Sequence, residues 1–114
     1  MPHLTTHVLD TASGKPAAGV RVVLRRADAT AVLADATTNA DGRLDKPLLD
    51  GNSFTPGPYE IAFHVGDYFR KSGVALPDPA FLDIVPLRFT AAAGRDYHLP
   101  LLISPFGYST YRGS

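Results

Sequence analysis

Ten glycines and ten prolines are spread along the 114 residues of this chain and divide it into short segments. Proline lacks a backbone amide donor, and glycine loses more freedom on folding than any other residue, so both interrupt long regular elements. Short apolar segments separated by turn-forming residues are typical of small β-sandwiches and barrels. The length predicts a single domain over residues 1–114.

Alternation of apolar and polar side chains predicts where the strands lie. It is clearest over residues 59–65, where every second side chain is aromatic or branched. Pro86 marks its strand as an edge strand or a bulged one, because proline cannot donate a hydrogen bond to a neighbouring strand. Further strands are predicted at residues 4–10, 20–27, 31–38, 82–90, 95–103 and 108–112.

The segments between the strands are predicted to be turns, one longer loop and one helix. Residues 39–42 form a turn, because an Asp-Gly pair suits positive φ. Residues 47–58 hold three prolines and two glycines and are mostly loop. A short helix is expected at residues 67–71, with Asp67 capping its start and Gly73 ending it. The whole is an all-β, two-sheet antiparallel sandwich of about eight strands with one short helix.

Composition narrows the possible partners. The 11 basic and 11 acidic residues cancel, so net charge favours neither nucleic acid nor an anionic membrane as a partner. The chain has no cysteine, which excludes disulfides, thiolate catalysis and cysteine-based metal sites. The N-terminus lacks the pattern of a secretory signal, and no run approaches the roughly 18 apolar residues of a membrane helix. We therefore expect a cytoplasmic protein.

Three polar side chains are candidates for a functional site. Alternation places His7 on the polar face of its strand, opposite Leu4 and Val8, and places His98 on the polar face of a distant strand. Arg43 follows the Asp-Gly turn. The pattern has two interpretations: two surface histidines with a solvated arginine, or an imidazole pair with a guanidinium that binds an anion. The histidines form no local metal-ligand motif, and no metal is expected.

The C-terminal segment Tyr111–Ser114 is a second candidate region. It follows an apolar run at residues 99–103 and a stretch rich in aromatic and turn-forming residues at 104–110. Chain ends usually fray, whereas this composition predicts a packed end. A packed end would bring a phenol, a guanidinium, a hydroxyl and a carboxylate together, and these are groups that a binding site can use.

Both ends of the chain carry long motifs. Leu-Thr-Thr-His-Val-Leu-Asp occupies residues 4–10 and is followed by Gly-Lys-Pro-Ala at 14–17. The closing motif covers residues 97–102 and 104–114 and ends in Tyr-Arg-Gly-Ser. Together with Asp-Gly-Arg at 41–43, these segments resemble the 5-hydroxyisourate hydrolases, the transthyretin-related proteins, over the whole chain.

The resemblance implies a fold, an assembly and a site. Members of this family are homotetramers of transthyretin-like, eight-stranded sandwiches, and their active sites lie in the channel between two dimers. We therefore expect the substrate to bind in such a channel. The site residues that the resemblance implies are His7, Arg43, His98, Tyr111, Arg112 and Ser114.

The reaction that the resemblance implies is hydrolysis of 5-hydroxyisourate to 2-oxo-4-hydroxy-4-carboxy-5-ureidoimidazoline, a step of urate and purine catabolism, without a cofactor. One histidine would take a proton from water, and the other would donate a proton to the leaving nitrogen or orient the water. Arg43 would hold the anionic substrate or the developing oxyanion. Ser114 would contribute its hydroxyl and carboxylate, held in place by Tyr111 and Arg112. The residues do not decide which histidine is the base.

The same fold leaves a second function open. Transthyretin is a carrier that binds a hydrophobic hormone in the same channel. A carrier of this kind predicts apolar residues where this chain has Arg43 and His98, and no Tyr-Arg-Gly-Ser end. The sequence therefore favours the hydrolase over a small-molecule carrier without catalysis.

Overall fold

The structure is a computed structural model and describes residues 2–113. Within that range the chain forms nine strands, one α-helix, α1 (Val65–Lys71), and one 3-10 helix (Gly51–Ser53). The strands are β1 (His3–Asp10), β2 (Lys15–Pro16), β3 (Arg21–Arg26), β4 (Val32–Thr37), β5 (Leu49–Asp50), β6 (Gly57–His64), β7 (Ile84–Ala91), β8 (Tyr97–Ser104) and β9 (Gly107–Thr110).

The strands form two sheets, so the predicted two-sheet sandwich is confirmed. The first sheet has the order β2-β1-β8-β9, with β5 pairing with the start of β1. The second has the order β4-β3-β6-β7. Among the described residues every pairing is antiparallel except that of β1 with β8, which is parallel. Alternation along a strand does not encode the direction of its neighbour, so the sequence did not reveal this pair.

The inward faces of the two sheets form one apolar core. Every second residue of β1, from Leu4 to Asp10, is buried. Opposite them, Tyr59, Ile61 and Phe63 of β6 are at most 1% exposed. Full burial of an aliphatic or aromatic side chain contributes about 1.5–3 kcal/mol, so this set of residues must face inward. The intervening residues of β1 and β8 are consequently directed to the outer face of the first sheet.

Helix α1 is the predicted short helix, but it begins two residues earlier. Its N-cap is His64, so the predicted capping role of Asp67 is wrong. Asp67 lies in the first turn, where an acidic side chain is favourable, and its carboxylate accepts a hydrogen bond from Arg70 Nη1 at 2.9 Å. Gly73 has φ of +85° just after the helix, which confirms its predicted role at the helix end.

Two further predictions are settled by the strand arrangement. Residues 47–58 are less irregular than expected, because β5, the 3-10 helix and the first two residues of β6 lie there. Pro86 lies in β7, which is an edge strand of the second sheet, as its missing amide requires. Over residues 2–113, none of the helices has the length and apolar character needed to cross a membrane.

Candidate active site

The outer face of the first sheet carries the candidate residues. β1 and β8 pair with Thr5 opposite His98 and His7 opposite Pro100. Both histidines are partly exposed and alternate with buried neighbours, which confirms that they project from the polar faces of their strands. A cleft of about 380 Å³ opens on this face and is lined by His3, Thr5, Arg43, Asp96, Tyr97, His98 and Gly113.

Arg43 reaches the cleft because it lies at the end of a hydrogen-bonded turn at residues 39–43. The Asn39 side-chain oxygen accepts hydrogen bonds from the amides of Asp41 at 2.9 Å and Arg43 at 3.2 Å. Gly42 has φ of +75°, and its carbonyl accepts a hydrogen bond from the Val8 amide at 2.8 Å. The turn is therefore internally braced and attached to β1, so the predicted Asp-Gly turn is confirmed and the start of the arginine side chain is held in place.

His7 is attached to the same turn. Its Nε2 lies 2.9 Å from the carbonyl oxygen of Asp41. A carbonyl can only accept, so Nε2 carries the proton and donates. The backbone of His7 also forms an isolated antiparallel bridge with Arg43. The turn therefore fixes the imidazole of His7 and the backbone of Arg43 relative to β1.

His98 is kept neutral by its surroundings. Its Nδ1 lies 2.8 Å from the Thr5 hydroxyl. Burial lowers the pKa of His98 below its usual value of 6.5, and electrostatic repulsion from Arg43, and from His7 when its ring is protonated, lowers the pKa further. The unfolded chain therefore binds this proton more readily than the folded one. The resulting contribution to stability is present above about pH 6.5 and is lost as the pH falls through the folded-state pKa.

The effect of Arg43 on this pKa can be measured. Arg43→Ala is expected to raise the pKa of His98 towards 6.5, because a nearby positive charge is removed. The rise should be partial, since burial is the larger cause and remains. An NMR titration of the His98 ring measures the shift. Lys71→Ala, which removes one charge from the exposed end of α1, is the control and should leave this pKa unchanged. An unchanged pKa in Arg43→Ala would contradict the placement of the guanidinium.

The C-terminal segment meets the cleft through its backbone. The Gly113 amide donates a hydrogen bond to the His98 carbonyl at 2.7 Å, and a Cβ at this position would lie 2.7 Å from His98 Cδ2. Only glycine therefore lets the chain pass this close to the imidazole. Ser114 lies outside the described residues.

Tyr111 and Arg112 are not brought to the histidine cleft. They line a second cleft of about 240 Å³ against β7, which shares only Tyr97 with the first, and Tyr111 is 60% exposed. The prediction of a packed end is therefore wrong for these side chains in the single chain, although β9 and Gly113 hold the backbone. Substrate binding by Tyr111 and Arg112 stays a prediction.

Sequence reasoning did not assign four residues to the site region: His3, Thr5, Lys46 and Asp96. His3 lines the cleft, and its amide donates a hydrogen bond to Asp96 Oδ1 at 3.0 Å. Thr5 lies between His3 and His7 on the same face of β1. Its spacing of two residues from each of them could have revealed this position, because residues two apart in a strand share a face. Lys46 lines an adjoining cleft of about 130 Å³ together with Arg43. Residues 2–113 contain no group of three or more acidic or histidine side chains placed to hold a metal ion.

Fold and site together define a transthyretin-like sandwich whose outer face carries groups for acid–base chemistry and anion binding. The chain belongs to the HIUase/Transthyretin family, whose model matches residues 4–113. The family that the sequence motifs resembled is thereby confirmed.

Individual relatives support the same placement. The chain is 60% identical to 5-hydroxyisourate hydrolase 2 of Rhizobium meliloti, over 97% of this chain and 95% of that protein. Among solved structures, Klebsiella pneumoniae 5-hydroxyisourate hydrolase is 35% identical with a TM-score of 0.84, and each chain is covered completely. An (S)-allantoin synthase is 44% identical with a TM-score of 0.93, and the chain covers 44% of its length. Sea bream transthyretin in complex with thyroxine is 29% identical with a TM-score of 0.84, over 96% of this chain and 93% of that chain.

Proposed function

We propose that this chain is a 5-hydroxyisourate hydrolase, which opens the substrate to 2-oxo-4-hydroxy-4-carboxy-5-ureidoimidazoline in urate catabolism. The observation that carries the proposal is the meeting of His7, Arg43 and His98 on one outer sheet face. The 60% identity to a hydrolase of this name supports it over almost the whole chain.

The arrangement supplies what the hydrolysis needs. Water adds to a ring carbonyl while a histidine takes its proton, and the carbonyl electrons move to the oxygen. The guanidinium of Arg43 stabilises that oxyanion with its N–H donors and its positive charge. The tetrahedral intermediate then collapses, the C–N bond breaks with its electron pair on nitrogen, and the nitrogen receives a proton from an imidazole. We propose that the tail, including Tyr111, Arg112 and Ser114, completes the substrate pocket only in the assembled channel, because Tyr111 and Arg112 turn away from the histidine cleft of their own chain.

The carrier function is less well supported. Sea bream transthyretin, which is solved with thyroxine, shares the fold. The cleft of this chain, however, is lined by polar side chains: the imidazoles of His3 and His98, the carboxylate of Asp96 and the guanidinium of Arg43. A hydrophobic ligand would leave these polar groups without partners, which is costly in a closed site.

The test is spectroscopic. When 5-hydroxyisourate is generated with urate oxidase, we expect this protein to accelerate the loss of the substrate's absorbance well above the spontaneous rate. A protein without hydrolase activity, such as serum albumin at the same concentration, serves as the control for the spontaneous rate of decay. If the decay stays at the spontaneous rate while the protein is folded, the chain is not this hydrolase and the carrier function must be tested instead.

We also propose a homotetramer with sites in the channel between two dimers. Within residues 2–113, the edge strands β7 and β9 each have one side that pairs with no other strand. Apolar residues stay exposed near them: Phe81 is 71%, Phe106 63% and Ile84 49% exposed. The rings of Phe81 and Phe106 lie 6.1 Å apart, so they form one patch. Exposed apolar patches and open edges of this kind are normally covered by partners.

Sedimentation equilibrium tests the assembly. We expect a mass about four times the 12.2 kDa of one chain at micromolar concentration. A single 12.2 kDa species at that concentration would rule out a shared channel as the working form.

A cytoplasmic location is proposed as well, and cell fractionation would test it.

A further inference from the structure

The two site histidines differ in the partners of their ring nitrogens. His7 donates from Nε2 to the carbonyl oxygen of Asp41, which has no proton to give. In its neutral form His7 therefore has an unprotonated Nδ1. That nitrogen can accept a proton, whereas Nε2 cannot while it holds the turn.

His98 has a hydroxyl as its partner instead. Thr5 and His98 are direct neighbours across the parallel pair, and Thr5 Oγ1 lies 2.8 Å from Nδ1. Within residues 2–113 the Thr5 side chain makes no other hydrogen bond, so its single proton is free to be directed at Nδ1. Donation by Thr5 uses the only proton of the hydroxyl and leaves its lone pairs open to the cleft. The proton of neutral His98 is then on Nε2.

We propose that Thr5 is a positioning residue that holds His98 as its Nε2–H tautomer, so that His98 donates a hydrogen bond in the cleft while His7 accepts a proton. The chemical roles rest on the proposed hydrolysis. His7 Nδ1 takes the proton from water as the new C–O bond forms, and it later delivers that proton to the leaving nitrogen. His98 transfers no proton: its Nε2–H and Arg43 together stabilise the oxyanion.

The division of labour agrees with the environment of each ring. A neutral imidazole is a very weak acid, so it stabilises an oxyanion by hydrogen bonding rather than by giving up its proton. Protonated His98 would carry a proton on Nδ1 and would force Thr5 to accept, which breaks the arrangement. The pKa of His98, lowered mainly by burial, favours the neutral ring at pH 7. His7, by contrast, keeps its bond to Asp41 in both protonation states.

The first measurement needs no substrate and no activity. In protein labelled with ¹⁵N-histidine, the His98 ring is expected to show a protonated Nε2 and an unprotonated Nδ1 at pH 7.5. His7 is expected to show the same tautomer, imposed by the Asp41 carbonyl. A protonated Nδ1 on neutral His98 would overturn the proposal, whether or not the protein hydrolyses 5-hydroxyisourate.

Variants of Thr5 then test its role. Thr5→Val keeps the shape and removes the hydroxyl, and we expect a mixture of His98 tautomers and a kcat lower by about five- to tenfold, the equivalent of one hydrogen bond, with KM little changed. Thr5→Ser should restore both. Thr37→Val, on exposed edge strand β4, is the matched control and should change neither. If Thr5→Val does not fold, Thr5→Ala takes its place.

Each remaining outcome is decisive. Unchanged His98 shifts in Thr5→Val would overturn the positioning role. A fall in kcat with unchanged tautomers would also overturn it, because Thr5 would then act directly on the substrate. If wild-type protein has no hydrolase activity, the proposed function fails, and the tautomer measurement still decides what Thr5 does to His98.

Discussion

Replacing His98 by asparagine is expected to lower kcat for 5-hydroxyisourate by about 10²- to 10³-fold, the usual loss on removal of one oxyanion donor. The imidazole lies in the cleft beside Arg43, and its pKa keeps it neutral at pH 7. Its side chain points away from the core, so the thermal midpoint should change little. Steady-state kinetics and a melting curve on the same preparation measure both effects.

A matched histidine separates this effect from a general one. His64 lies at the end of β6 in the second sheet, outside the cleft, and His64→Asn should keep near-wild-type turnover. In His7→Asn and in Arg43→Ala, kcat should fall by about 10²- to 10⁴-fold, as expected for loss of a general base or of the main anion-binding group. Near-wild-type turnover in His98→Asn would show that the imidazole is a bystander of the reaction.

The substitution Gly42→Ala is expected to destabilise the fold by about 2–4 kcal/mol and to abolish most of the activity. Gly42 has φ of +75°, and a Cβ there would meet the carbonyl oxygen of Val8. The turn must therefore move away from β1, which displaces both Arg43 and the Asp41 carbonyl that binds His7. Urea unfolding with an unchanged m-value measures the loss of stability.

Gly94 offers a control with nearly the same backbone. Its φ is +73°, but a Cβ there would meet nothing within 4 Å. Gly94→Ala should therefore cost only the conformational penalty, about 1 kcal/mol, and should leave turnover unchanged. If Gly42→Ala and Gly94→Ala lose the same stability, the turn accepts the new Cβ without moving away from β1. Contact with β1 would then not be what holds Arg43 in place.

Local patterns in the sequence were enough to predict most of the secondary structure. The alternation of apolar and polar side chains along a strand shows which side faces the core. The orientation of His7 and His98 was therefore predictable from their apolar neighbours. The Asp-Gly pair predicted the turn that carries Arg43, because few other residues adopt positive φ. The start of α1 was harder, since His64 caps the helix without a side-chain hydrogen bond and gives no signal of its own.

The long-range arrangement depended on contacts that no local pattern contains. Thr5 and His98 are 93 positions apart, and they meet only because β1 and β8 pair in parallel in one register. The Asp41 carbonyl, which selects the tautomer of His7, is a backbone group and has no signature among side chains. The proposal that His7 is the base therefore depends on ring partners that only the tertiary structure shows.

By itself the sequence determined the fold class, the polar faces of the strands and the family, because period-two burial, turn chemistry and long motifs are local properties of the chain. Only the tertiary structure decided that β1 lies beside β8, that the 39–43 turn is attached to β1, and that Tyr111 and Arg112 turn away from the histidine cleft. Strand pairing and register follow from burying the inward faces of both sheets at once, and that free energy is a sum over residues distant in the chain.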